Sequence, residues 1–377
     1  MLGALSVGLA VVKVGRRTLP PLLPTVTTDL SITPFEAGLT LSTAAACVAL
    51  LQFPSGRISD QLTRKTVLVG SLLVLTTGSL ILSAATTFVV FVLGAVVIGV
   101  GEGLYGSADR GLLSDLFERR RGMAFGIHST FSDVGRVVGA GSAAIVLAYG
   151  IWRAAFVPAA IGGCVVAVLL YRWGREPVVV ERVSLPVVGT SERLFGQRRF
   201  QFLILAYSLF AFTVQGVYAF LPTLLQTNRG ASPQVASIAF ASLFAVGIVC
   251  RPLAGWLSDR LGRIVIAGVG VVLGAVGIST LLLGPATASV ALGIAGFALS
   301  KAVFPPVMQA HLMDVFPDAS MAGDLGASRT VYIGIGSLGP AYVGFVAGPF
   351  GYPAAFAGFV VALLASGSIL LGLDLTG

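Results

Sequence analysis

Apolar stretches long enough to cross a bilayer, separated by short polar breaks, recur along the 377-residue chain. A spanning helix needs about 20 mostly apolar residues. Twelve stretches reach that length, at roughly 4–27, 35–55, 66–84, 87–112, 122–147, 152–171, 200–225, 233–254, 264–284, 287–310, 326–346 and 353–372. The pattern predicts an all-α membrane protein with twelve transmembrane helices. Turn chemistry marks the breaks: Ser31 to Pro34, Ala231 to Pro233, Gly284-Pro285 and Gly348 to Pro353. The first apolar run begins at Met1, without a basic leader or an A-x-A cleavage site, so it reads as a span rather than a cleaved signal.

Composition agrees with that pattern. Hydrophobic residues make up 56% of the chain and charged residues 11%, against about 25% charged in an ordinary soluble protein. This excludes a soluble enzyme and a disordered protein. The net charge of +8 does not indicate nucleic acid as a partner, because the basic residues fall in the breaks between apolar runs. No metal site is expected. Cys47, Cys164 and Cys250 sit singly in apolar stretches, and His128 and His311 are the two histidines.

Orientation follows from where the cations fall. The breaks after spans two, four, six and eight hold fifteen Lys and Arg residues, from Arg57 to Arg263, counting Arg251. The opposite breaks hold Arg153 and Arg229. The arginine-rich breaks are therefore expected to face the cytoplasm, with both termini on that side, in a multi-pass protein of the cell membrane. The break after span ten departs from the pattern, with Asp314, Asp318 and Asp324, but acidic residues contribute little to the rule.

The chain also repeats itself. Gly56-x-Ile-Ser-Asp60-x-Leu-x-Arg64 recurs 199 residues later as Gly255-x-Leu-Ser-Asp259-x-Leu-x-Arg263. Pro34 matches Pro233 and Asp115 matches Asp314 at the same offset; Gly139 with Ala155-Phe156 matches Gly339 with Ala355-Phe356 at 200. The expected organisation is two pseudo-symmetric six-helix bundles, 1–171 and 200–377, joined by the polar stretch 172–199. Two such halves suit a protein that rocks one against the other around a central site.

GWLSDRLGR at 255–263 and GRISDQLTRK at 56–65 resemble the signature between spans two and three of the major facilitator superfamily, G-x-x-x-D-R-x-G-R-R. The first copy departs from it at Gln61 and Thr63. ERRRGMAFG (118–126) and YGIWRAAF (149–156) are similar to other loops of that family. The resemblance covers nearly the whole chain and implies a transporter working by alternating access. It assigns Gly56, Asp60, Arg64, Asp115, Gly255, Asp259, Arg263 and Asp314 to a cytoplasmic gate, with Arg64 pairing Asp115 and Arg263 pairing Asp314. The plainer reading is static surface pairs worth about 0–1 kcal/mol. The family's helix-5 Gly-Pro motif is degenerate here, with Arg136 where proline is expected.

Charges at mid-depth carry the expected chemistry. Lys13, Arg16, Arg17, Glu102, Asp133, Arg136 and Lys301 fall near the middle of their spans. Such groups cost about 2.5–3.5 kcal/mol to insert even on lenient scales, so they face a partner or a water-filled cavity. The family fold lines its cavity with spans one, four, seven and ten, which here bring Arg16 and Arg17, Glu102, Gln215 and Lys301. Of the adjacent arginines, Arg16 is expected to point into the cavity. Arg16 or Arg17 with Leu23-Pro24, Asp29-Leu30-Ser31-Ile32 and Gly99-x-Gly101-Glu102 resemble spinster-like transporters, in which the Arg and Glu serve proton coupling. A helix-1 Arg eight residues before Pro24 is similar to organophosphate antiporters, but the second Arg of that group is replaced by Gln215.

Glu102, Arg16 and Arg17 are thus the expected proton-coupling set. Arg16, Arg17, Gln215, Tyr218, Lys301 and Tyr105 are the expected substrate contacts, and Asp133 with Arg136 a charge pair on span five. Arg329 and Asp109-Arg110 read as further gate contacts. A permanent structural Glu102–Arg16 pair remains an alternative, as does a packing role for Tyr105. The excess of mid-depth cations favours a small organic anion, moved by a monomer with the proton as coupling ion and no cofactor. A broad-specificity exporter and a non-transporting sensor stay open. An enzyme is least favoured, since there is no P-loop, nucleophile motif or metal cluster.

Overall fold

The computed structural model describes residues 2–117, 121–173, 198–315 and 321–375. Most of the expected linker (174–197) lies outside the described residues, as do the side chains of Asp60 and Asp115 and all but the backbone of Gly56. Thirteen α-helices and one 3-10 turn make up the described chain, with no strand among the described residues. They are α1 (Leu2–Arg17), α2 (Leu19–Asp29), α3 (Pro34–Gln61), α4 (Arg64–Ser83), α5 (Phe88–Leu116) and α6 (Arg121–Ala148). The 3-10 turn Trp152–Phe156 leads into α7 (Val157–Trp173). There follow α8 (Arg198–Arg229), α9 (Pro233–Leu261), α10 (Arg263–Leu283), α11 (Thr287–Val315), α12 (Met321–Gly336) and α13 (Leu338–Leu375).

Hydroxyl residues in the turns cap the helices that follow them. Thr33, Thr63, Thr87 and Ser232 each accept a hydrogen bond from the backbone N–H three residues on, and Thr33 forms a reciprocal capping box with Glu36. The two copies of the repeated motif turn differently. Gly262 takes φ +95°, open to glycine, whereas its counterpart Thr63 is extended and caps α4 with its hydroxyl. Thr63 therefore replaces a conformational solution with a hydrogen-bonded one.

Among the described residues, ten stretches are long and apolar enough to cross a membrane. One of them, Gly326–Leu373, has 48 residues, about 72 Å of helix at 1.5 Å per residue. It crosses twice, turning at Gly351 with φ +79°. The first span is not the single run expected. It breaks at Thr18, because Pro20 and Pro21 have no N–H for the carbonyls of Arg16 and Arg17. The Thr18 hydroxyl donates to the Val14 carbonyl at 2.8 Å and approaches that of Gly139 at 3.2 Å. Several helices also outrun their expected ends. α9 continues to Leu261, so Arg251 is a helix residue rather than a loop residue.

Glycines set the closest crossings. A Cβ on Gly78 would lie 2.8 Å from the Ile98 nitrogen, and one on Gly94 2.7 Å from the Leu82 side chain. The paired numbers sum to a constant, so α4 and α5 run antiparallel. Both contacts recur 199 residues on: Gly277 against the Phe297 nitrogen at 2.6 Å and Gly293 against Leu281 at 2.7 Å. The repeat in sequence is thus a repeat in packing. The two arginines of the sparse face have parallel tasks as well. Arg153 donates to the Ala85 carbonyl at 2.6 Å just past α4, and Arg229 to the Leu282 carbonyl at 3.0 Å at the end of α10. Cations at helix C-termini complement the macrodipole.

Helices from before and after the linker meet at α6 with α9, at α3 with α12 and α13, and at α2 with α8. On the arginine-poor side Gly38 lies against the Pro340 carbonyl and Gly344 against Pro34 and Phe35, backbone on backbone. The crossings predict that Gly78→Ala and Gly277→Ala each lower stability by about 1–3 kcal/mol through overpacking. Gly70→Ala, with nothing within 4 Å of the new methyl, should leave stability unchanged or raise it by up to about 1 kcal/mol, since alanine is the better helix former. Thermal unfolding in detergent reads the difference.

Candidate functional site

Where the proline pair interrupts the first span, α1 ends on three cations at i, i+3 and i+4: Lys13, Arg16 and Arg17. Helical spacing puts these side chains on one side of α1. They border a cavity of about 250 Å³ at the centre of the helix array, with Gln52 on α3, Glu102 on α5 and Arg136 on α6. The later helices add Gln215, Tyr218, Arg251, Lys301, Arg329 and Tyr332. Seven cationic side chains and one carboxylate line it. A second, smaller cavity of about 20 Å³ lies toward the arginine-poor side, sharing Arg16, Arg17 and Gln215 with the first and bordered by Leu19, Pro20, Leu41, Ala219 and Pro340.

The charges are sorted into clusters. Glu102 accepts from Lys13 at 2.5 Å and Arg16 at 2.7 Å, one cation on each oxygen. Its side chain is 6% exposed, and a carboxylate so placed needs both partners. The expected Arg16–Glu102 contact is present, and Lys13 joins it. Lys13 is the residue that motif reading left out of the site; its spacing of three from Arg16 is the signal that would have included it.

Both adjacent arginines reach the cavity, a correction to the expectation that only Arg16 would. Arg16 turns to Glu102, and Arg17 crosses to the other half, its guanidinium 4.5 Å from the centre of the Tyr218 ring. The Arg17 Nε is buried without a hydrogen-bond partner. Lys301 lies on the far side of the cavity. Its ammonium donates to the Leu243 carbonyl at 3.0 Å and sits over the Phe244 ring at 4.4 Å and the Tyr218 ring at 5.8 Å. Neither Arg17 nor Lys301 has a carboxylate partner among the described residues.

Asp133 forms the second cluster. It is 1% exposed and clamped between Arg136 on its own helix and Arg251 of α9, the latter at 2.5 Å. The charge pair on α6 is therefore a triad that ties α6 to α9. Arg251 was hidden from the sequence reading because a span of ordinary length would end near it.

Other expected residues lie elsewhere. Tyr105 does not reach the cavity: it is wholly buried, donating to the Leu5 carbonyl at 2.9 Å. Asp109 is not a gate contact either. It meets His128 at 2.9 Å inside the helix array, and His128 lies 3.3 Å from the Ser6 hydroxyl. Arg329, expected at the gate, lines the cavity instead. At the arginine-rich end Arg263 meets Asp314 at 2.8 Å and Asp259 at 3.9 Å. Arg64 donates to Ser59 at 2.5 Å and lies against Gly111, one turn from Asp115.

The fold and cavity are those of a multi-pass solute carrier. The sequence profile of the Major Facilitator Superfamily matches residues 5–300 and 203–375, and the chain belongs to that family; it is a transporter-family protein, not an enzyme. It is 22% identical over 259 residues to a probable nitrate transporter, NarT, of Staphylococcus haemolyticus, covering 68% of this chain and 66% of that one. The match thus spans slightly under two thirds of that relative. It is 23% identical over 350 residues to the hexuronate transporter of Bacillus subtilis, covering 86% and 82%. Among solved structures, a bacterial homologue of the human lysosomal transporter Spinster superposes with a TM-score of 0.85 at 18% identity, covering 100% and 96%. The human organic anion transporter MFSD10 gives 0.70 at 15%, covering 98% of each.

The Asp133 triad yields a stability prediction. Asp133→Asn leaves two arginines without their carboxylate and should cost about 3 kcal/mol, as breaking a buried pair does. Arg251→Gln in the same chain should recover part of that loss, a coupling of about 1–3 kcal/mol. Thermal unfolding of the two single variants and the double variant checks it; additive losses would contradict the pairing.

Proposed function

We propose that the protein is a secondary transporter that carries a small anion through the central cavity by alternating access, with the proton as its coupling ion. The observation that carries this reading is the cavity's charge: seven cations against Glu102, and Asp133 behind two of them. A cation would be repelled there, and a neutral solute would leave the excess uncompensated. About 250 Å³ is below the usual range of pockets for drug-sized ligands, which favours a small anion over a bulky drug. Relatives named for nitrate and hexuronate, both anions, point the same way.

In this reading the halves 1–171 and 200–377 move against each other about the 172–199 linker, in a monomer. Arg17, Lys301, Gln215 and Tyr218 hold the anion. Glu102 takes the proton: once neutral it releases Lys13 and Arg16, and the cavity gains positive charge for the anion. The cavity faces the arginine-rich side, which is the cytoplasm, with both termini there. Arg263–Asp314 joins α10 to α11 within the 200–377 half and is formed while the cavity faces that side, so it braces one half of the gate as that half moves; Arg64 and Asp115 are its counterparts in the other half. Arg263–Asp314 is partly exposed, so it contributes little to stability on its own.

Two measurements test this. A thermal-shift screen of organic anions, amino acids, sugars and lipophilic cations should show stabilisation by anions, about 2.7 kcal/mol at 100 times the dissociation constant, and Arg17→Gln should lose it. Stabilisation by lipophilic cations that depends on Glu102 would replace the reading with an exporter. In proteoliposomes, Glu102→Gln should abolish anion accumulation driven by a pH gradient while exchange of anion for anion continues. Gradient-driven uptake that survives in Glu102→Gln rules out the coupling role.

A further inference from the structure

The cavity's cations are not all equally available. Lys13 and Arg16 are committed to Glu102, and Arg136 and Arg251 to Asp133. Arg17, Lys301 and Arg329 have no carboxylate partner among the described residues. Two of these three converge. Arg17 lies 4.5 Å and Lys301 5.8 Å from the centre of the same Tyr218 ring, so their charged ends are at most 10.3 Å apart. Arg329 belongs to a different level: it is one turn from Tyr332, which stacks on Tyr207 at 3.9 Å. Tyr207 and Tyr218 are separated on α8 by about 16 Å of helix rise.

Two buried cations this close, one from each half of the chain, repel each other unless negative charge lies between them. Their direct contacts are aromatic rings and a single carbonyl, which soften the cost of burial but cancel no charge; the neighbouring carboxylates, Glu102 beside Arg17 and Asp133 beside Lys301, are each already shared by two other cations. Resting on the anion reading above, we infer that the carried solute is a dianion with its two negative groups a short distance apart, one on Arg17 and one on Lys301. The chemical class is a short-chain dicarboxylate. Carboxyl carbons in a four-carbon diacid lie about 4 Å apart from C–C bonds of ~1.5 Å. With charge-assisted contacts of about 2.8 Å at each end, a diacid of four carbons or fewer can bridge two cations no more than 10.3 Å apart. Gln215, one turn before Tyr218 and lining the same space, supplies a neutral donor beside the anion. A dicarboxylate held this way touches both halves and draws together the two cations that otherwise push the halves apart.

The test is direct binding to the purified full-length chain in nanodiscs, using oxalate, malonate, succinate and glutarate, each against its monomethyl ester. At least one diacid should bind about ten-fold or more tighter than its ester, the effect of one charge-assisted contact. Lys301→Gln should cut that preference to about two-fold or less, and Lys301→Arg, which keeps the charge, should retain it. Equal binding of diacids and monoesters by the unmodified chain overturns the dianion inference and leaves the anion reading standing. A preference unchanged in Lys301→Gln also overturns it. If neither diacids nor monoesters bind, while a lipophilic cation does, the anion reading fails along with it. The comparison in the unmodified chain decides the matter even if Lys301→Gln does not fold.

Discussion

A charged side chain in the middle of a bilayer needs a partner of opposite sign, and this chain buries more cations there than carboxylates. Glu102 between Lys13 and Arg16, and Asp133 between Arg136 and Arg251, neutralise what they can. The rest of the positive charge stays around a small cavity, on Arg17, Lys301 and Arg329. That residue of charge is costly in an empty protein, and it is the feature that defines what can fill the site. Stability and function are in tension here, and the aromatic rings of Tyr218 and Phe244 are the compromise: they shelter the cations without neutralising them.

The backbone is shaped to the same end. Paired prolines break the first span directly after Arg16 and Arg17, so α1 and α2 can tilt separately and both arginines border the cavity. Elsewhere glycines let helices touch backbone to backbone, as at Gly78 and its counterpart Gly277. Without a hydrophobic force between helices in lipid, such close packing is what holds each half together. The halves themselves meet through contacts of two kinds: backbone against backbone at Gly38 and Gly344, and ionic at Asp133–Arg251.

Much of this was legible in the sequence. Twelve apolar runs, the offset of 199 and the Gly-to-Arg motif specify the fold class and the family, because span length and turn chemistry are local properties. Glu102 with Arg16 was also readable, because mid-depth carboxylates are few and the helix-1 arginine with the G-x-G-E stretch carries a family resemblance. Other features depended on contacts that a one-dimensional pattern does not contain. Arg251 resembled a loop residue until α9 proved to run ten residues further. Tyr105 lies on the cavity helix α5, but on a face turned to Leu5, and only packing decides which face looks inward. Asp109 was read from its depth alone, and its partner His128 comes from α6. Pairings between distant elements were the part that sequence could not supply.

The central claim is that the Glu102 carboxylate and an anion in the cavity compete for the positive charge of Lys13 and Arg16, so that a proton on Glu102 favours the anion. Linkage makes this measurable at equilibrium, because an anion that binds better to the protonated protein must be bound more tightly as pH falls. The most direct measurement is the dissociation constant of a bound anion across pH, for the unmodified chain and for Glu102→Gln. The account predicts affinity that rises toward low pH in the unmodified chain, and affinity that is high and independent of pH in Glu102→Gln, where Lys13 and Arg16 are already released. The same pH dependence in both proteins would contradict it.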